Sequence, residues 1–394
     1  MQERIKYIIF AVLILASLSG CGRTEPDVPA VTDKPEESSA LSDTSAALSE
    51  SAPAAAPKRA ETQRLLGQID EYVQIDAKAT LPEKEAYSTY TLKMVDCDPD
   101  RLFGIFSPEG YGSYTIEDRN YFCYFESSGK KLVVQDNKIS YNAYNIAWGE
   151  NPMDDVETLM YYFARMHAQS ETHDLSFMTT AQMGQFCNDI FLQLGVSFES
   201  KLERCVTLTG QEILDFQSEL FGASGSNMQM GFTSTSLTEA TDTCYLEFSF
   251  TYDGLPLLGS EEPGVTSAVN MMPTPSVTAA IMINADGLQS FEMYFPCTAE
   301  LKSEPQAILS IDEAVAALKG KYDLEIHTST EVFSGIWLEY IPIVTEDSTI
   351  LTPYWCFATQ SVWEEDPNVI SWHSEYANAQ RFNAITGKDL TYGG

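Results

Sequence analysis

Histidine is scarce in this chain of 394 residues: there are four, at 167, 173, 327 and 373. None belongs to an HExxH pair, and His167 and His173, six apart, would fall on different faces of a helix, which argues against a zinc-hydrolase site. The chain has no CxxC, no cysteine at zinc-finger spacing with a histidine, and no glycine-rich phosphate loop after a predicted strand. Basic residues are few as well, 23 Lys+Arg against 57 Asp+Glu, for a net charge of −34. A surface that acidic repels phosphate backbones and anionic head groups, so nucleic acid is not expected as a partner, and the body is not expected to lie flat on lipid. Between Cys21 and Tyr72 there is no aromatic residue at all. That stretch cannot bury enough apolar surface to offset its ordering entropy.

Three faint motifs are better read as local structure. GASGS, from Gly222, has Ser226 where a nucleophile elbow needs glycine. DCDPD puts Asp96, Asp98 and Asp100 at the opening positions of a calcium loop. Arg101 then takes the glycine place and Ser107 that of the bidentate glutamate, so turn carboxylates are expected instead. Acid pairs for glycoside hydrolysis can be drawn from so many carboxylates that their abundance carries no information. No catalytic residue, cofactor or metal is therefore assigned, and a non-enzyme is expected.

At the N-terminus, Arg4 and Lys6 precede an apolar run, Tyr7 to Leu15. That run is too short for a bilayer core, which takes roughly 20 helical residues, so residues 1–20 read as an export signal. Leu18, Ser19 and Gly20 before Cys21 resemble the lipobox of bacterial lipoproteins. The resemblance implies that Cys21 becomes a lipidated N-terminus, held to the outer face of the cytoplasmic membrane by a diacylglyceryl anchor. Two acyl chains suffice for stable anchoring, at roughly 0.8 kcal/mol per buried CH₂. Residues 21–62, rich in Ala, Ser, Pro and acids, read as a disordered spacer that lifts the folded part toward the cell wall or exterior.

The remainder reads as α+β, antiparallel sheets each packed by a helix. Residues 63–170 are expected to form a β-rich domain, strands from YSTYTLKMV onward, closed by a connecting helix in MDDVETLMYYFARMHAQ with Val156, Leu159, Met160 and Phe163 on one stripe. A helix followed by four strands is then expected twice, over 171–300 and 301–394. In the first unit Thr180 is the expected cap of a helix ending at Gly195, with Met183, Phe186, Ile190, Phe191 and Leu194 on one face. CYLEFSFTYDG alternates cleanly, and VTAAIMIN and LQSFEMYF are joined by a hairpin whose Asp286-Gly287 is expected to supply positive φ. In the second unit Ser310 and Glu313 make a capping box. The strands LEIHTSTEVF, GIWLEYIPIV, PYWCFATQ and AQRFNAIT follow.

The second unit, with SIDEAVAAL, WLEYIPIV, LTPYWCF and RFNAITGKDL, resembles the PepSY-type module. The first, with FSFTYDGLPLLG and INADGLQSFEM, is similar to the halves of the extracytoplasmic YycH- and YycI-type regulators of a sensor kinase. Taken whole, the chain looks like the uncharacterised lipoproteins of Firmicutes.

Seven cysteines follow the anchor, an odd number, so at least one stays unpaired within the chain. If the strands CYLEFSF and LQSFEMYF lie side by side, Cys244 and Cys297 are the pair to expect as a disulfide. In QSVWEEDPNVISWHSEY, Trp363, Trp372 and Tyr376 fall in a long loop between two strands and form the candidate ligand-binding site. These readings converge on a membrane-anchored, non-enzymatic module that binds or regulates a peptide or envelope protein. The alternative is a lipoprotein that captures carbohydrate or peptide for nutrient uptake.

Overall fold

In the computed structural model, the residues described are 62–106, 112–116, 121–125, 130–135, 138–143, 152–167, 172–223, 237–258, 267–269, 272–274, 277–323, 330–345, 347–359 and 379–390. The chain opens with β1 (Thr62–Gln68), β2 (Val73–Thr80), β3 (Ala86–Met94), α1 (Pro99–Phe106), β4 (Gly112–Ile116), β5 (Tyr121–Phe125), β6 (Lys131–Gln135) and β7 (Lys138–Asn142). Next come α2 (Pro152–Met166), α3 (Thr180–Leu194), β8 (Glu199–Leu208), α4 (Gly210–Ala223), β9 (Thr243–Tyr252), β10 (Leu255–Pro256), β11 (Ser267–Val269), β12 (Met272–Thr274), β13 (Thr278–Asn284), β14 (Gly287–Tyr294) and β15 (Cys297–Ala307). The series ends with α5 (Ile311–Tyr322), β16 (Glu331–Val344), β17 (Thr349–Thr359) and β18 (Gln380–Asn383). The fold is α+β, built on two large, mostly antiparallel sheets.

Sequence order and sheet membership do not run together. The seven-stranded sheet has the order β1-β2-β16-β17-β3-β15, with β18 also on β17. The nine-stranded sheet runs β10-β9-β13-β14-β7-β6-β5-β4, with β8 on the far edge of β9. The expected segments 63–170, 171–300 and 301–394 are thus interleaved. β2 runs parallel to β16, β3 pairs with β15 and β17, and β7 pairs with β14. Among the described residues of the second unit, the end of LEIHTSTEVF and all of GIWLEYIPIV form the single strand β16 rather than two, with a register slip between Phe333 and Gly335. Glycine at that slip is tightly placed: a Cβ on Gly335 would lie 3.3 Å from the Trp337 ring.

Burial explains the layering. Val73, Ile75, Ala77 and Ala79 of β2 are buried while the residues between them are exposed, the period-two signature of a strand with one wet face. In contrast, all seven residues of β13 are buried. One of its faces packs into the main core, which collects Leu246, Phe248 and Phe250 with Ile190 and Phe191 of α3 and with Phe333 and Phe357 of the other sheet. The other face carries Ala280 and Met282, which with Tyr245 of β9 lie under α2 and α4, whose Leu159, Met160, Ile213 and Phe216 cover them. A third, small cluster of Leu258, Ile341, Tyr354 and Cys356 lies on the opposite face of β16 and β17.

Helix ends follow side-chain chemistry closely. Thr179, one residue before the expected cap, starts α3 in a capping box with Gln182, and Gly195 ends the helix in the left-handed region at φ 73°. Ser310 and Glu313 form the expected box on α5. Asp98 accepts from the Arg101 N–H and starts α1, so this carboxylate of the DCDPD turn serves as a helix cap.

Turns redistribute the expected glycine roles. Of Asp286 and Gly287 only the glycine has positive φ, at 101°, while Asn284 Oδ1 accepts the Asp286 N–H at 2.8 Å. The tight hairpin with two left-handed residues lies instead at Asp253 and Gly254, φ 51° and 82°, between β9 and β10. The geometry expected for a Cys244–Cys297 disulfide is absent as well. β13 lies between β9 and β14, Cys297 opens β15 in the other sheet, and both cysteines are free thiols.

Candidate functional site

Cys21 and the loop carrying Trp363, Trp372 and Tyr376 lie outside the described residues, as do His327 and His373. Of the remaining histidines, His167 stacks on Phe163 at 4.3 Å and meets Phe216 edge-on, while the His173 N–H donates to Thr207 Oγ1. Both histidines are exposed, His167 against aromatic rings and His173 with its ring 3.8 Å from Glu212. Among the described residues no three His, Cys, Asp or Glu side chains gather to hold a metal, and no helix is long and apolar enough to cross a membrane.

The candidate site lies where the two sheets are stitched together. After the Asp253-Gly254 turn, Leu255 and Pro256 pair back on β9 and the Leu257 N–H donates to Phe250. Leu257 also forms a parallel bridge with Tyr340 of β16, and the Leu258 N–H donates to the Tyr340 carbonyl at 2.8 Å. One short segment therefore serves as edge partner to both sheets. Along the same edge of β16, β2 is paired only as far as Ala79 opposite Ile336. Between these two partners lie Trp337, Leu338 and Glu339. A cleft of about 610 Å³ opens there.

Its walls come from both sheets. Trp337 and Glu339, two apart on β16, share one face, and their side chains meet: indole Nε1 donates to Glu339 Oε2 at 3.0 Å. The other carboxylate oxygen accepts from Arg381 Nε and from the Cys356 thiol, each at 3.1 Å. Register accounts for this. Trp337 lies opposite Cys356, and Cys356 opposite Arg381, so Arg381 reaches across β17 to a carboxylate one row along. Glu339 and Arg381 are each about 2% exposed. Such a buried pair holds its geometry because either charge alone would be strongly penalised. Burial, then the charge of Glu339, push the Cys356 thiol up, so it stays a protonated donor.

Opposite, on β8 and β9, Arg204 Nε stands 3.7 Å from Glu247, while Glu203 accepts from Lys201 and from Ser249. Thr278, also in the lining, is 5% exposed, and its hydroxyl has no hydrogen-bond partner among the described residues. A buried hydroxyl without a partner costs free energy, which a ligand donor or acceptor would recover. Lys78 and Glu83 flank the mouth. The arrangement offers one aromatic plate, both signs of charge and a buried hydroxyl, with Leu255, Pro256 and Leu338 as apolar lining. It is suited to hold an elongated, partly polar molecule.

Sequence reasoning missed this cleft because its parts are spread over β2, β8, β9, β13 and β16. The one local signal was the Trp-x-Glu spacing of Trp337 and Glu339 in a strand, which places both on one face.

No known protein family matches the sequence, and no curated protein is similar to it. A solved structure is similar in fold: the crystal structure of an uncharacterized protein from Eubacterium rectale ATCC 33656. It has a TM-score of 0.50 and 12% identity, covering 83% of this chain and 93% of that one. The likeness extends over most of both chains and concerns fold alone.

Proposed function

We propose that the protein is a non-enzymatic lipoprotein, anchored at Cys21 to the outer face of the cytoplasmic membrane, whose cleft takes an extended peptide segment of an envelope partner. The observation that carries this reading is the cleft of about 610 Å³ whose walls come from both sheets and include Trp337, Arg204, Glu247 and the buried Thr278. A peptide of about three residues, spanning about 10 Å at 3.3 Å per residue, would lie in the cleft between β2 and the Leu255–Leu258 segment. Recognition of an extended peptide draws specificity from pockets for alternate side chains. Here Trp337, Thr278 and the Arg204–Glu247 pair line those pockets. The PepSY-like and YycH/YycI-like resemblance of the sequence supports a regulatory partner outside the cytoplasm.

Carbohydrate capture is the second reading, favoured by the hydroxyls of Thr80, Ser249, Thr251 and Thr278 around one tryptophan. A photo-crosslinking amino acid at exposed Lys78, introduced into the full chain in its own cells, separates the two. Recovery of a peptide or envelope protein, lost on Trp337→Ala, supports the first. Binding of cell-wall oligosaccharides by the purified body without any peptide crosslink would replace it with the second. Anchoring is tested by Cys21→Ser, which should move the protein out of the membrane fraction.

A further inference from the structure

Cys205 of β8 and Cys244 of β9 are diagonal neighbours on paired antiparallel strands: Cys205 lies opposite Leu246, and Cys244 opposite Thr207. Their sulfurs are 3.9 Å apart, and both are free thiols. A disulfide needs about 2.05 Å, and diagonal positions, roughly 7–8 Å apart at Cα, lie beyond the usual range of about 4.4–6.8 Å, so closing this gap takes a backbone shift of one strand together with a change of rotamer. β8 has that freedom. Among the described residues it pairs only with β9, and its register already slips between Leu202 and Arg204, next to Cys205. Cys205 is half-buried on this outer strand, whereas Cys244 is fully buried.

We propose that Cys205 and Cys244 are a redox-active dithiol that small-molecule disulfides convert to a β8–β9 crosslink. The Cys205 thiolate attacks one sulfur of the oxidant, such as oxidised glutathione or cystine. The oxidant's sulfur–sulfur bond breaks and one small thiolate leaves with the bonding pair. Cys244 then gives up its proton and attacks Cys205 in the mixed disulfide, expelling the second small thiolate. Two protein thiols are oxidised and one small disulfide is reduced to two thiols, which take up both protons.

Electrostatics agree with these roles. The hydrogen bond with Cys244 holds the Cys205 thiol below its ordinary range, whereas the same contact, then burial, raise Cys244. Cys187 of α3 interacts electrostatically with both and is pushed up by burial, which leaves it the poorer nucleophile. Arg204, adjacent to Cys205 in sequence, lines the cleft, so the crosslink would brace the wall that carries Arg204 and Glu247.

The test is to incubate the native, full-length protein with oxidised glutathione, quench with acid and alkylate. Non-reducing peptide mass spectrometry then maps the products, and circular dichroism monitors the fold of each variant. A Cys205–Cys244 linked peptide is expected. Cys244→Ala should instead leave a glutathione adduct on Cys205, Cys205→Ala should remove both products, and Cys297→Ala should leave the link unchanged. Absence of the link from the folded wild type, a link from Cys244 to Cys187 or Cys297, or a link formed only after denaturation would each overturn the proposal. Should the alanine variants misfold, protection of Cys205 and Cys244 from alkylation in glutathione-treated wild type gives the same decision.

Discussion

Trp337 and Glu339 lock one another in place: the indole N–H donates to a carboxylate whose second oxygen is held by Arg381 and Cys356. The tryptophan that lines the cleft is therefore positioned by a buried ion pair on its own sheet. Disturbing that pair should alter both stability and the cleft wall.

Glu339→Gln should cost about 3–5 kcal/mol, because Arg381 would keep its charge in a site about 2% exposed. Urea denaturation followed by tryptophan fluorescence reads this directly. Replacing Glu339 and Arg381 together with methionine should recover most of the loss; a double variant as unstable as the single one would refute this account.

Gly254→Ala isolates a backbone effect. A Cβ there meets nothing within 4 Å, yet φ is 82°. The variant should lose about 1 kcal/mol through left-handed strain alone. Thermal melts should show that loss, with the sheet signal in circular dichroism unchanged.

Gly210→Ala acts through space instead. Its added Cβ would fall on the Ala240 carbonyl, which is backbone and cannot rotate away. The same glycine N–H donates to Asp242 at 3.0 Å. A loss of about 1–3 kcal/mol is expected from the displaced segment, measurable by denaturant titration.

The capping box on α5 should give a defined pH dependence. Hydrogen bonds from the Ser310 backbone N–H, then its hydroxyl, hold Glu313 below its ordinary value of 4.5. A carboxylate lowered in the folded state stabilises it above the unfolded pKa, and that contribution is lost as pH falls through the folded value. Melting temperature followed downward from about pH 5 should therefore fall less steeply in Ser310→Ala than in wild type. Identical slopes would show that the Ser310 hydroxyl contributes nothing to this dependence.

Much of the local structure was legible in the sequence, because it is written in neighbouring residues. The stripe Val156, Leu159, Met160 gave α2; Ser310 with Glu313 gave the start of α5; the alternation of Leu246, Phe248 and Phe250 gave β9. Two elements escaped for local reasons. α1 begins at Pro99 behind a run of aspartates that looks like a turn, and the apolar positions of β2 include two alanines, weak markers of a buried face. Sheet membership escaped for a different reason. Pairings such as Val73 with Glu331 depend on residues far apart, and period-two alternation does not say which strand will lie alongside. The cleft was hidden with them, since Arg204, Thr278 and Trp337 meet only through that pairing.

The parallel contact of β2 with β16 also sets an order of events. An N-terminal hairpin of β1 and β2 can close as soon as it is made, but the free edge of β2 stays unpaired until residues 331–336 arrive. Long-range closure of this kind slows folding and prolongs exposure of sticky intermediates. Chains cut short before β16 should therefore be lost to aggregation or proteolysis rather than accumulate as partial domains.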